Sequence, residues 1–381
     1  MKRIAFAGSF DPLTNGHMWV IKEGLKIAKE VLLFIAYNPT KTALFTIQEK
    51  ERMILDALKE ENIDQKVKVV VLKSEYAAYA ALKAGCKYSL RGIRGGPDFD
   101  YESLIQQTNR DVIKGTKTLF VMPPGNLESV SSSYVKSLIG PATWHWKIKG
   151  FLPNAIYMAW LNKYVTKMVN EYMDLKCSVI EKQKFVDQIF EHYAHRPYHN
   201  IEHIVHCFQE LEWAIANYNI PQEIYSDVAL AIAAHDIIMG AKDSQKSDEE
   251  LSALWLESFL KSIGQERPDS VNAVRSTEHL SGKYVVETEK EKLMNSIDLA
   301  ILAQEKSIYK WYAKGVRKEY SQYSDVDYIK GRIQALNKLL SKPLYLSEYF
   351  AHYENDAIKN LQREINKLEK KLMKIEHEKQ G

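Results

Sequence analysis

Residues 8–17 read Gly-Ser-Phe-Asp-Pro-Leu-Thr-Asn-Gly-His and separate a short apolar run, residues 4–7, from an amphipathic helix pattern. A strand that ends at glycine and is followed by a helix leaves free backbone N–H groups and the positive end of the helix dipole at one place. These groups suit phosphate, and His17 stands beside them on the first turn of the predicted helix. The segment therefore predicts a site for a phosphate-bearing ligand.

A second group of chemically capable side chains lies in the last 200 or so residues and contains His199, His203, the adjacent pair His235-Asp236, and Asp298. Two of these histidines, His199 and His203, are four residues apart, which predicts that they share one helix face. The His235-Asp236 pair ends an apolar helix pattern, so charged groups are set against a buried surface. Four imidazole and carboxylate groups are enough to ligate a metal, and we interpret this group of five residues as containing a metal site.

The residue types of this second group constrain the metal. Mixed imidazole and carboxylate ligands fit Mn2+, Fe2+ or Mg2+ better than a thiolate zinc site, and the three cysteines form no ligand pattern. We predict a divalent transition metal, Mn2+, Fe2+ or similar, that binds phosphate and generates a hydroxide nucleophile. The cysteines are widely spaced and odd in number, which argues against a disulfide framework and favours a cytoplasmic protein.

The elements around the first segment alternate between apolar runs and helical patterns such as residues 48–58 and 101–113. This alternation is typical of a parallel sheet covered by helices, an α/β Rossmann-like fold. Ligands in such sheets bind beyond the carboxyl ends of the strands. The predicted strands after the first are residues 31–36, 67–72, 88–90 and 118–122.

From about residue 155 helical periodicity dominates and strand patterns vanish. We predict an α/β domain over residues 1–160, a helical linker over 161–180 and an all-helical domain over 181–381. The tail repeats apolar residues at spacings of three and four from residue 358 to 375, as a coiled-coil seam does. We interpret this tail as a final helix packed on its own domain rather than as a dimerising zipper.

Length and charge narrow the class of protein. The chain has 381 residues, enough for two domains, and a formal net charge of only +3, too small to indicate a nucleic-acid partner. No run of about 18 apolar residues indicates a membrane span, and no secretory signal is visible at the N-terminus. We therefore expect a soluble protein without a membrane partner.

Several motifs in the first 160 residues resemble those of a known enzyme family. Thr-x-Gly-His at residues 14–17, with Gly-Ser-Phe at 8–10, resembles the signature of small nucleotidyltransferases, which move a nucleoside monophosphate from a triphosphate onto a phosphate or similar acceptor. Residues 91–102, Arg-Gly-Ile-Arg-Gly-Gly-Pro-Asp-Phe-Asp-Tyr-Glu, resemble the corresponding segment of the pantetheine-phosphate adenylyltransferases. Residues 38–45 and 130–136 are similar to two further blocks of that family.

This resemblance implies a reaction and a set of site residues. ATP and 4'-phosphopantetheine would give dephospho-coenzyme A and pyrophosphate, with Mg2+ accompanying ATP. His17 would contact the α-phosphate, while Lys41 and Arg91 would bind the acceptor phosphate. Family members form closed assemblies, so a homo-oligomer is implied. The remaining residues implied to bind ATP or the acceptor are Gly8, Ser9, Phe10, Arg94, Glu102, Ser131, Ser132 and Ser133.

The sequence departs from this family before the three serines, where residues 126–129 read Asn-Leu-Glu-Ser in place of a stretch that usually carries a glutamate and an aromatic residue. An alternative is therefore a nucleotidyltransferase with another acceptor, such as nicotinamide mononucleotide, or a sugar or polyol phosphate with CTP.

The histidine-rich half resembles the metal-dependent phosphohydrolases named for their His-Asp doublet, in a branch that carries Tyr-His-Asn-x-x-His, here residues 198–203. The resemblance implies His203, His235, Asp236 and Asp298 as metal ligands and an all-α HD-type domain. Ser296 stands where this branch usually has a further aspartate, so the sequence has one carboxylate ligand fewer for a second metal. The candidates for a second metal or a substrate phosphate are His199 and His279. An alternative interpretation is a regulatory or nucleotide-binding module.

Overall fold

The computed structural model describes residues 1–36, 42–73, 75–140, 142–241 and 245–378, without the side chains of residues 97, 101, 280, 281 and 378. Lys41, one of the implied acceptor-binding residues, lies outside the described residues. The chain forms two compact units, Met1–Trp160 and Leu161–Gly381. None of the described helices combines the length and the apolar composition that crossing a membrane requires.

The first unit is built on a five-stranded sheet in the order β3-β2-β1-β4-β5, and all of its strand pairs are parallel. The register pairs Ala5 of β1 with Leu32 of β2 on one side and with Ser89 of β4 on the other. The prediction of a parallel α/β sheet is confirmed. The strands are β1 (Arg3–Gly8), β2 (Glu30–Ile35), β3 (Val67–Val71), β4 (Tyr88–Gly92) and β5 (Lys117–Val121).

The strand order reverses at β1, because the chain runs outward through β2 and β3 and then crosses to β4 on the other side. Such a reversal opens a crevice at the carboxyl ends of the two central strands. The helices of this unit are α1 (Asn15–Ile27), α2 (Ile47–Glu60), α3 (Ala77–Lys83), α4 (Gly96–Thr108), α5 (Ser132–Ser137) and α6 (Trp144–Lys149).

Helix α1 begins where the sequence supplies a cap. The Thr14 side chain accepts a hydrogen bond from the His17 backbone N–H, and the His17 ring in turn accepts from the Thr14 backbone N–H, a reciprocal cap in which histidine takes the usual place of glutamate. The helix packs closely on the sheet at Gly24, where a Cβ would lie only 2.7 Å from the Leu90 side chain. His17 is thereby fixed in the first turn of α1, above the end of β1.

The second unit is helical, and its described residues contain no strand. Its most buried segment is the run of seven small and aliphatic residues from Val228 to Ala234, none of which is exposed to solvent. Burial of each of the three larger side chains of this run, Val228, Leu230 and Ile232, contributes roughly 1.5–3 kcal/mol. Helix α7 (Asn154–Glu171) begins in the first unit and ends in the second. The other helices of the second unit are α8 (Val179–His192), α9 (Ile201–Tyr218), α10 (Gln222–Ala234), α11 (Asp248–Ser262), α12 (Pro268–Ser276), α13 (Glu289–Asp298), α14 (Lys306–Glu319), α15 (Asp325–Leu340) and α16 (Glu354–Glu378).

The segment expected as a helical linker, residues 161–180, is helical only in part. Helix α7 continues to Glu171, residues 172–178 are not helical, and Ser178 caps the start of α8 with Glu181. A serine followed three residues later by glutamate is the capping-box pattern, so the sequence carried the signal for this break.

The apolar repeat of the tail packs inside the second unit. Leu361 and Ile365 of α16 are buried, and α16 contacts α15, whose Ile329 and Leu336 are also buried. Arg332 of α15 and Glu364 of α16 form a two-bond ion pair, at 2.9 and 3.2 Å, in the same region. The final helix is therefore packed on its own unit, as the sequence analysis favoured.

Candidate functional site

A cavity of about 250 Å3 lies beyond the carboxyl ends of β1 and β4, at the reversal of strand order. Its walls come from the loop after β1, the first turn of α1, the exit of β4, the middle of α4 and the approach to α5. The structure therefore brings together seven of the residues selected from the sequence: Gly8, Ser9, His17, Arg91, Arg94, Glu102 and Ser131.

Three further predicted residues lie near this cavity without lining it. Phe10 is buried, and its ring meets the His17 ring edge-on at 5.2 Å. Ser132 donates a hydrogen bond to the Pro12 carbonyl at 2.8 Å, and Ser133 is exposed on α5. Only Ser131 of the three serines therefore reaches the cavity, and it also caps α5 by accepting from the Tyr134 backbone N–H.

The protonation state of His17 follows from its surroundings. Its Nδ1 atom accepts a hydrogen bond of 3.0 Å from the Thr14 backbone N–H, so the neutral ring carries its proton on Nε2. Burial, together with the positive charge of Arg94, lowers the pKa of His17 to about 4. At neutral pH this imidazole is therefore an uncharged hydrogen-bond donor that lines the cavity.

Two guanidinium groups give the cavity its positive charge. Arg91 donates to the Ala7 carbonyl at 3.3 Å, and its Nε atom lies 3.4 Å from Glu102 Oε2. Burial raises the pKa of Glu102, and Arg91 opposes that change. Arg94 binds both carboxylate oxygens of Asp98, at 2.7 and 3.1 Å. Planar guanidinium groups suit phosphate oxygens, so this cavity is arranged for an anionic ligand.

Close backbone contacts hold the loop after β1 in place. A Cβ at Gly16 would lie 3.0 Å from the Val130 carbonyl oxygen, and one at Gly8 would lie 3.0 Å from the Phe10 ring. Phe10 itself has a positive φ of 44°, a left-handed conformation that costs an ordinary residue roughly 1–2 kcal/mol. A side chain at Gly16 would therefore press on backbone, and one at Gly8 would press on the Phe10 ring.

Sequence reasoning missed Asp11, which ties this loop to two others. Its buried carboxylate accepts hydrogen bonds from the backbone N–H groups of Leu44 and Phe45, at 2.9 and 3.0 Å, and from Lys136 Nζ at 3.0 Å. Burial raises the pKa of Asp11, but these hydrogen bonds and the Lys136 charge lower it by more. Asp11 lies within the segment 8–17 that the sequence analysis selected. Its partners are more than 30 residues away in sequence, so no local pattern predicted its role.

A second constellation occupies the second unit, where α9, α10 and α13 converge. The Nε2 atom of His203 lies 3.1 Å from His235 Nε2 and 3.3 Å from Asp298 Oδ1, and His235 Nε2 lies 3.2 Å from Asp236 Oδ2. Ligands about 2.1 Å from one ion lie about 3.0–3.4 Å from one another. Two overlapping groups of donor atoms could each hold a metal ion: His203 with His235 and Asp236, and His203 with Asp298 and the Cys207 thiol, which no cysteine pattern in the sequence indicated. The distances from the two Nε2 atoms to Asp236 and Asp298 fit a single divalent cation held by the four predicted ligands.

The outer nitrogen atoms of the two imidazoles have protein partners. His235 Nδ1 lies 3.0 Å from the Ile232 carbonyl oxygen, to which it donates, and His203 Nδ1 lies 3.2 Å from the Tyr198 hydroxyl. Such partners fix the orientation of metal-ligating histidines and leave Nε2 free to act as a ligand. Burial raises the pKa of Asp236, but the neighbouring imidazoles of His235 and His199 lower it by more, which keeps the carboxylate ionised.

The prediction that His199 and His203 share a helix face is wrong. Asn200 caps α9 by accepting from the Glu202 backbone N–H, so His199 lies outside the helix. Asparagine is a strong N-cap residue, and this signal in the sequence was overlooked. The His199 ring nevertheless approaches the cluster: its Nε2 atom is 4.0 Å from Asp236 Oδ2, while its Nδ1 atom contacts Glu319 at 2.7 Å.

Two further positions bear on a second metal. His279 lies in a 3-10 turn, Thr277–Ser281, and belongs to no group of three or more donor side chains among the described residues. Ser296, where a further aspartate was expected, is buried and accepts from the Ser347 backbone N–H at 2.9 Å. The Ser296 side chain therefore has a structural role, because it holds the backbone at Ser347.

Two residues outside the predicted ligand set position this constellation. Glu319 accepts from the backbone N–H groups of Tyr198 and His199 and contacts the His199 ring. Arg196 donates to the carbonyl oxygens of Asp236 and Ile237. Beside the cluster lies a cavity of about 470 Å3 that His199 and Asp298 help to line.

Comparisons with known proteins concern the first unit. A family model described as cytidylyltransferase-like matches residues 5–138. The phosphopantetheine adenylyltransferase of Chromobacterium violaceum is 35% identical over 164 residues, which are 43% of this chain and 98% of that relative. The enzyme of the same name from Syntrophus aciditrophicus is 36% identical over 168 residues, 43% of this chain and 96% of the relative. That of Neisseria meningitidis serogroup C is 33% identical over 156 residues, 41% of this chain and 90% of the relative.

A solved structure, Plasmodium falciparum nicotinic acid mononucleotide adenylyltransferase complexed with APC, has a TM-score of 0.33 and 19% identity, and covers 43% of this chain and 98% of that chain. A TM-score this low supports no conclusion about function. The sequence relatives are decisive, because this chain covers at least 90% of their length at more than 30% identity. Through its N-terminal part, the chain belongs to the phosphopantetheine adenylyltransferase family of cytidylyltransferase-like proteins.

Proposed function

We propose that the chain is a bifunctional enzyme, with an adenylyltransferase domain over residues 1–160, a linker over 161–180 and an HD-type metal phosphohydrolase domain over 181–381. The first activity is transfer of the adenylyl group of ATP to 4'-phosphopantetheine. The observation that carries it is a cavity in which neutral His17 lies with two arginines, in a chain that covers almost the full length of phosphopantetheine adenylyltransferases.

In this reaction an oxygen of the acceptor phosphate forms a bond to the α-phosphorus of ATP. The bond from that phosphorus to the oxygen bridging to the β-phosphate breaks, and its electron pair leaves with pyrophosphate. Negative charge grows on the α-phosphate oxygens in between, so donors held around that phosphorus lower the barrier. The protein supplies position and charge and forms no covalent bond to the substrate.

Each predicted site residue of the first unit has a role in that scheme. His17 donates its Nε2 proton as a hydrogen bond to an α-phosphate oxygen, and it remains neutral because its pKa is about 4. Arg91 and Lys41 bind the acceptor phosphate, while Arg94 and Glu102 serve ATP together with Ser131. Gly8 and Ser9 bring backbone N–H groups to the phosphates, and Phe10, Ser132 and Ser133 support the two loops.

Mg2+ fits this cavity as a companion of ATP. Among the described lining residues the one carboxylate is Glu102, and Arg91 lies beside it. The ion would therefore take most of its ligands from phosphate oxygens and water, and it would neutralise the triphosphate.

The second activity is hydrolysis of a phosphoester in the second domain, with His203, His235, Asp236 and Asp298 as metal ligands. The observation that supports it is a pair of imidazole Nε2 atoms 3.1 Å apart, each of which lies 3.2–3.6 Å from an oxygen of both carboxylates. A divalent Mn2+, Fe2+ or similar ion bound there supplies Lewis-acid contact with phosphate and lowers the pKa of bound water. His199, positioned by Glu319, lies where it can contact a phosphate oxygen, and His279 is the remaining candidate for that role.

The two activities are separable by single substitutions. His17→Ala should abolish pyrophosphate release from ATP and 4'-phosphopantetheine and leave phosphoester hydrolysis intact, and His235→Ala should do the reverse. His377→Ala is the matched control, because it removes an exposed imidazole near the end of α16. Survival of transfer in the His17→Ala variant would refute the assignment of the first site.

One observation favours a second candidate for the acceptor. The stretch that departs from the family pattern contributes Leu127 to the cavity wall. A panel of 4'-phosphopantetheine, nicotinamide mononucleotide and polyol phosphates, each with ATP or CTP and read by pyrophosphate release, decides between them. A regulatory role for the second domain would appear as a metal-free protein that hydrolyses no phosphoester.

A further inference from the structure

The cavity beside the His-Asp cluster indicates which phosphoesters the second domain accepts. It measures about 470 Å3 and begins at His199 and Asp298, next to the proposed metal ligands. It continues between the 3-10 turn Leu299–Ala303, α14 and α15, and its outer residues, Tyr323 and Gly331, are exposed. A molecule whose phosphate is held at the cluster therefore has its remaining part in this cavity.

The walls of the cavity are aromatic and aliphatic. The side chains of Leu302, Val316 and Leu339 contribute aliphatic surface. The Tyr320 ring lies 6.1 Å from the Tyr323 ring and 6.4 Å from the Tyr328 ring, so the tyrosines form a cluster. Surfaces of this kind bind aromatic or apolar groups, with hydroxyl groups available for a few hydrogen bonds. The five tyrosines of the wall are Tyr198, Tyr312, Tyr320, Tyr323 and Tyr328.

The charges of the cavity argue against a second phosphate. Among the described lining residues, Arg332 is the one cationic side chain other than histidine. Unlike Arg91 and Arg94, it lies in a buried ion pair, with its side chain 10% and that of Glu364 9% exposed. It makes two bonds to Glu364 and a third, of 3.1 Å, to the Tyr312 hydroxyl. Asp327 adds a negative charge at the exposed side. A di- or triphosphate would therefore find no free cation beyond the cluster.

We propose, on the basis of the proposed phosphohydrolase function, that the substrate of this site is a phosphate monoester of a neutral aromatic or apolar alcohol. The single phosphate lies at the His-Asp cluster and the alcohol part lies against the tyrosines. In the reaction a water oxygen forms a bond to phosphorus and the bond from phosphorus to the ester oxygen breaks. A proton from the water passes to that oxygen, which gives the free alcohol and inorganic phosphate.

Gly331 offers a way to fill the cavity. It lines the cavity on α15, and a Cβ at this position would meet no atom within 4 Å, so Gly331→Trp adds bulk without a backbone clash. Asn337→Trp is the matched control, because Asn337 is exposed on the same helix and does not line the cavity. Both variants are made in the full-length protein, and metal content is measured for each.

The test compares three esters by kcat/KM: 1-naphthyl phosphate, glycerol 3-phosphate and ATP. We expect 1-naphthyl phosphate to exceed both others by about tenfold or more, since tenfold corresponds to only about 1.4 kcal/mol of apolar contact. Gly331→Trp should lower the ratio of 1-naphthyl phosphate to glycerol 3-phosphate about tenfold, and Asn337→Trp should leave that ratio unchanged. Calorimetry with 1-naphthol, which lacks the phosphate, supplies a readout other than activity: it should bind to the wild-type protein, and more weakly to Gly331→Trp.

The outcomes separate this inference from the function on which it rests. Preference for ATP or glycerol 3-phosphate in a protein that binds metal would overturn the substrate class and leave the phosphohydrolase function standing. Equal binding of 1-naphthol by Gly331→Trp and the wild-type protein would also overturn the substrate class. Absence of both metal and hydrolysis would refute the phosphohydrolase function itself.

Discussion

His203 and His235 face each other through their Nε2 atoms, which lie 3.1 Å apart, while the Nδ1 atom of each ring contacts another protein group. Two carboxylates, Asp236 and Asp298, stand against the same pair of nitrogens. The convergence of these groups in a nearly buried site is costly to build, and a bound cation is the simplest physical reason for it.

The first prediction concerns metal content. After dialysis against Mn2+ or Fe2+ and removal of free ions, the full-length protein should retain about one divalent ion per chain, and His235→Ala should retain less than about a tenth of that. Elemental analysis by mass spectrometry gives the number, and circular dichroism checks that the variant is folded. His377→Ala should bind as the wild type does. A folded His235→Ala variant with full metal content would exclude the proposed ligand set.

The second prediction concerns the ionisation of His17. Because the pKa of His17 is about 4 in the folded protein and about 6.5 in an unfolded chain, the unfolded state binds more protons between these values. The contribution of His17 to the free energy of unfolding therefore has its full value above about pH 6.5, and it decreases as the pH falls toward 4. The His17 Cε1–H signal in an NMR titration, assigned with the His17→Ala variant, should show no inflection between pH 5.5 and 8. An inflection near pH 6.5 would contradict the neutral-donor role.

The chemistry-bearing segments could be predicted because they are local in sequence. The strand that ends at Gly8 and the helix that begins after Thr14 place His17 in the first turn of α1, where the structure has it. The apolar helix that ends at His235 is equally local. By contrast, Asp11 meets Lys136 across 125 residues, and the tyrosine cavity draws on positions from 198 to 339. Such contacts depend on how the helices pack, which no periodicity in one segment encodes.

The third prediction concerns Asp11 as a positioning residue. Asp11→Asn keeps the shape of the side chain but removes the charge that binds Lys136 and weakens the two backbone hydrogen bonds. Hydrogen bonds to charged groups contribute roughly 1.5–3 kcal/mol, so the thermal transition of the first unit should fall by several degrees. Because residues 44 and 45 follow the segment that contains Lys41, KM for the acceptor should rise more than KM for ATP.

Asp56→Asn is the control for this substitution, because Asp56 is half exposed and its contact with Lys59 is a surface ion pair of 3.7 Å. The stability and both KM values of that variant should match the wild type. If Asp11→Asn also matches the wild type in both respects, Asp11 does not position the loops.

The fourth prediction concerns the close approach at Gly16. Gly16→Ala would place a Cβ 3.0 Å from the Val130 carbonyl oxygen, so the loop before α1 or the approach to α5 must shift. Because both segments line the cavity, we expect ATP affinity, measured by calorimetry, to fall about tenfold, or about 1.4 kcal/mol. Gly150→Ala serves as the comparison, since a Cβ there would meet nothing within 4 Å. Equal ATP affinity in the two variants would show that the contact at Gly16 is not needed.

The most direct test of two independent sites on one chain is acceptor-dependent pyrophosphate release with ATP, Mg2+ and 4'-phosphopantetheine. It should be measured side by side for the wild type, His17→Ala and His235→Ala. We expect release by the wild type and by His235→Ala, and loss of release in His17→Ala. Release that persists in His17→Ala, or that disappears in a folded His235→Ala variant, would contradict two independent sites.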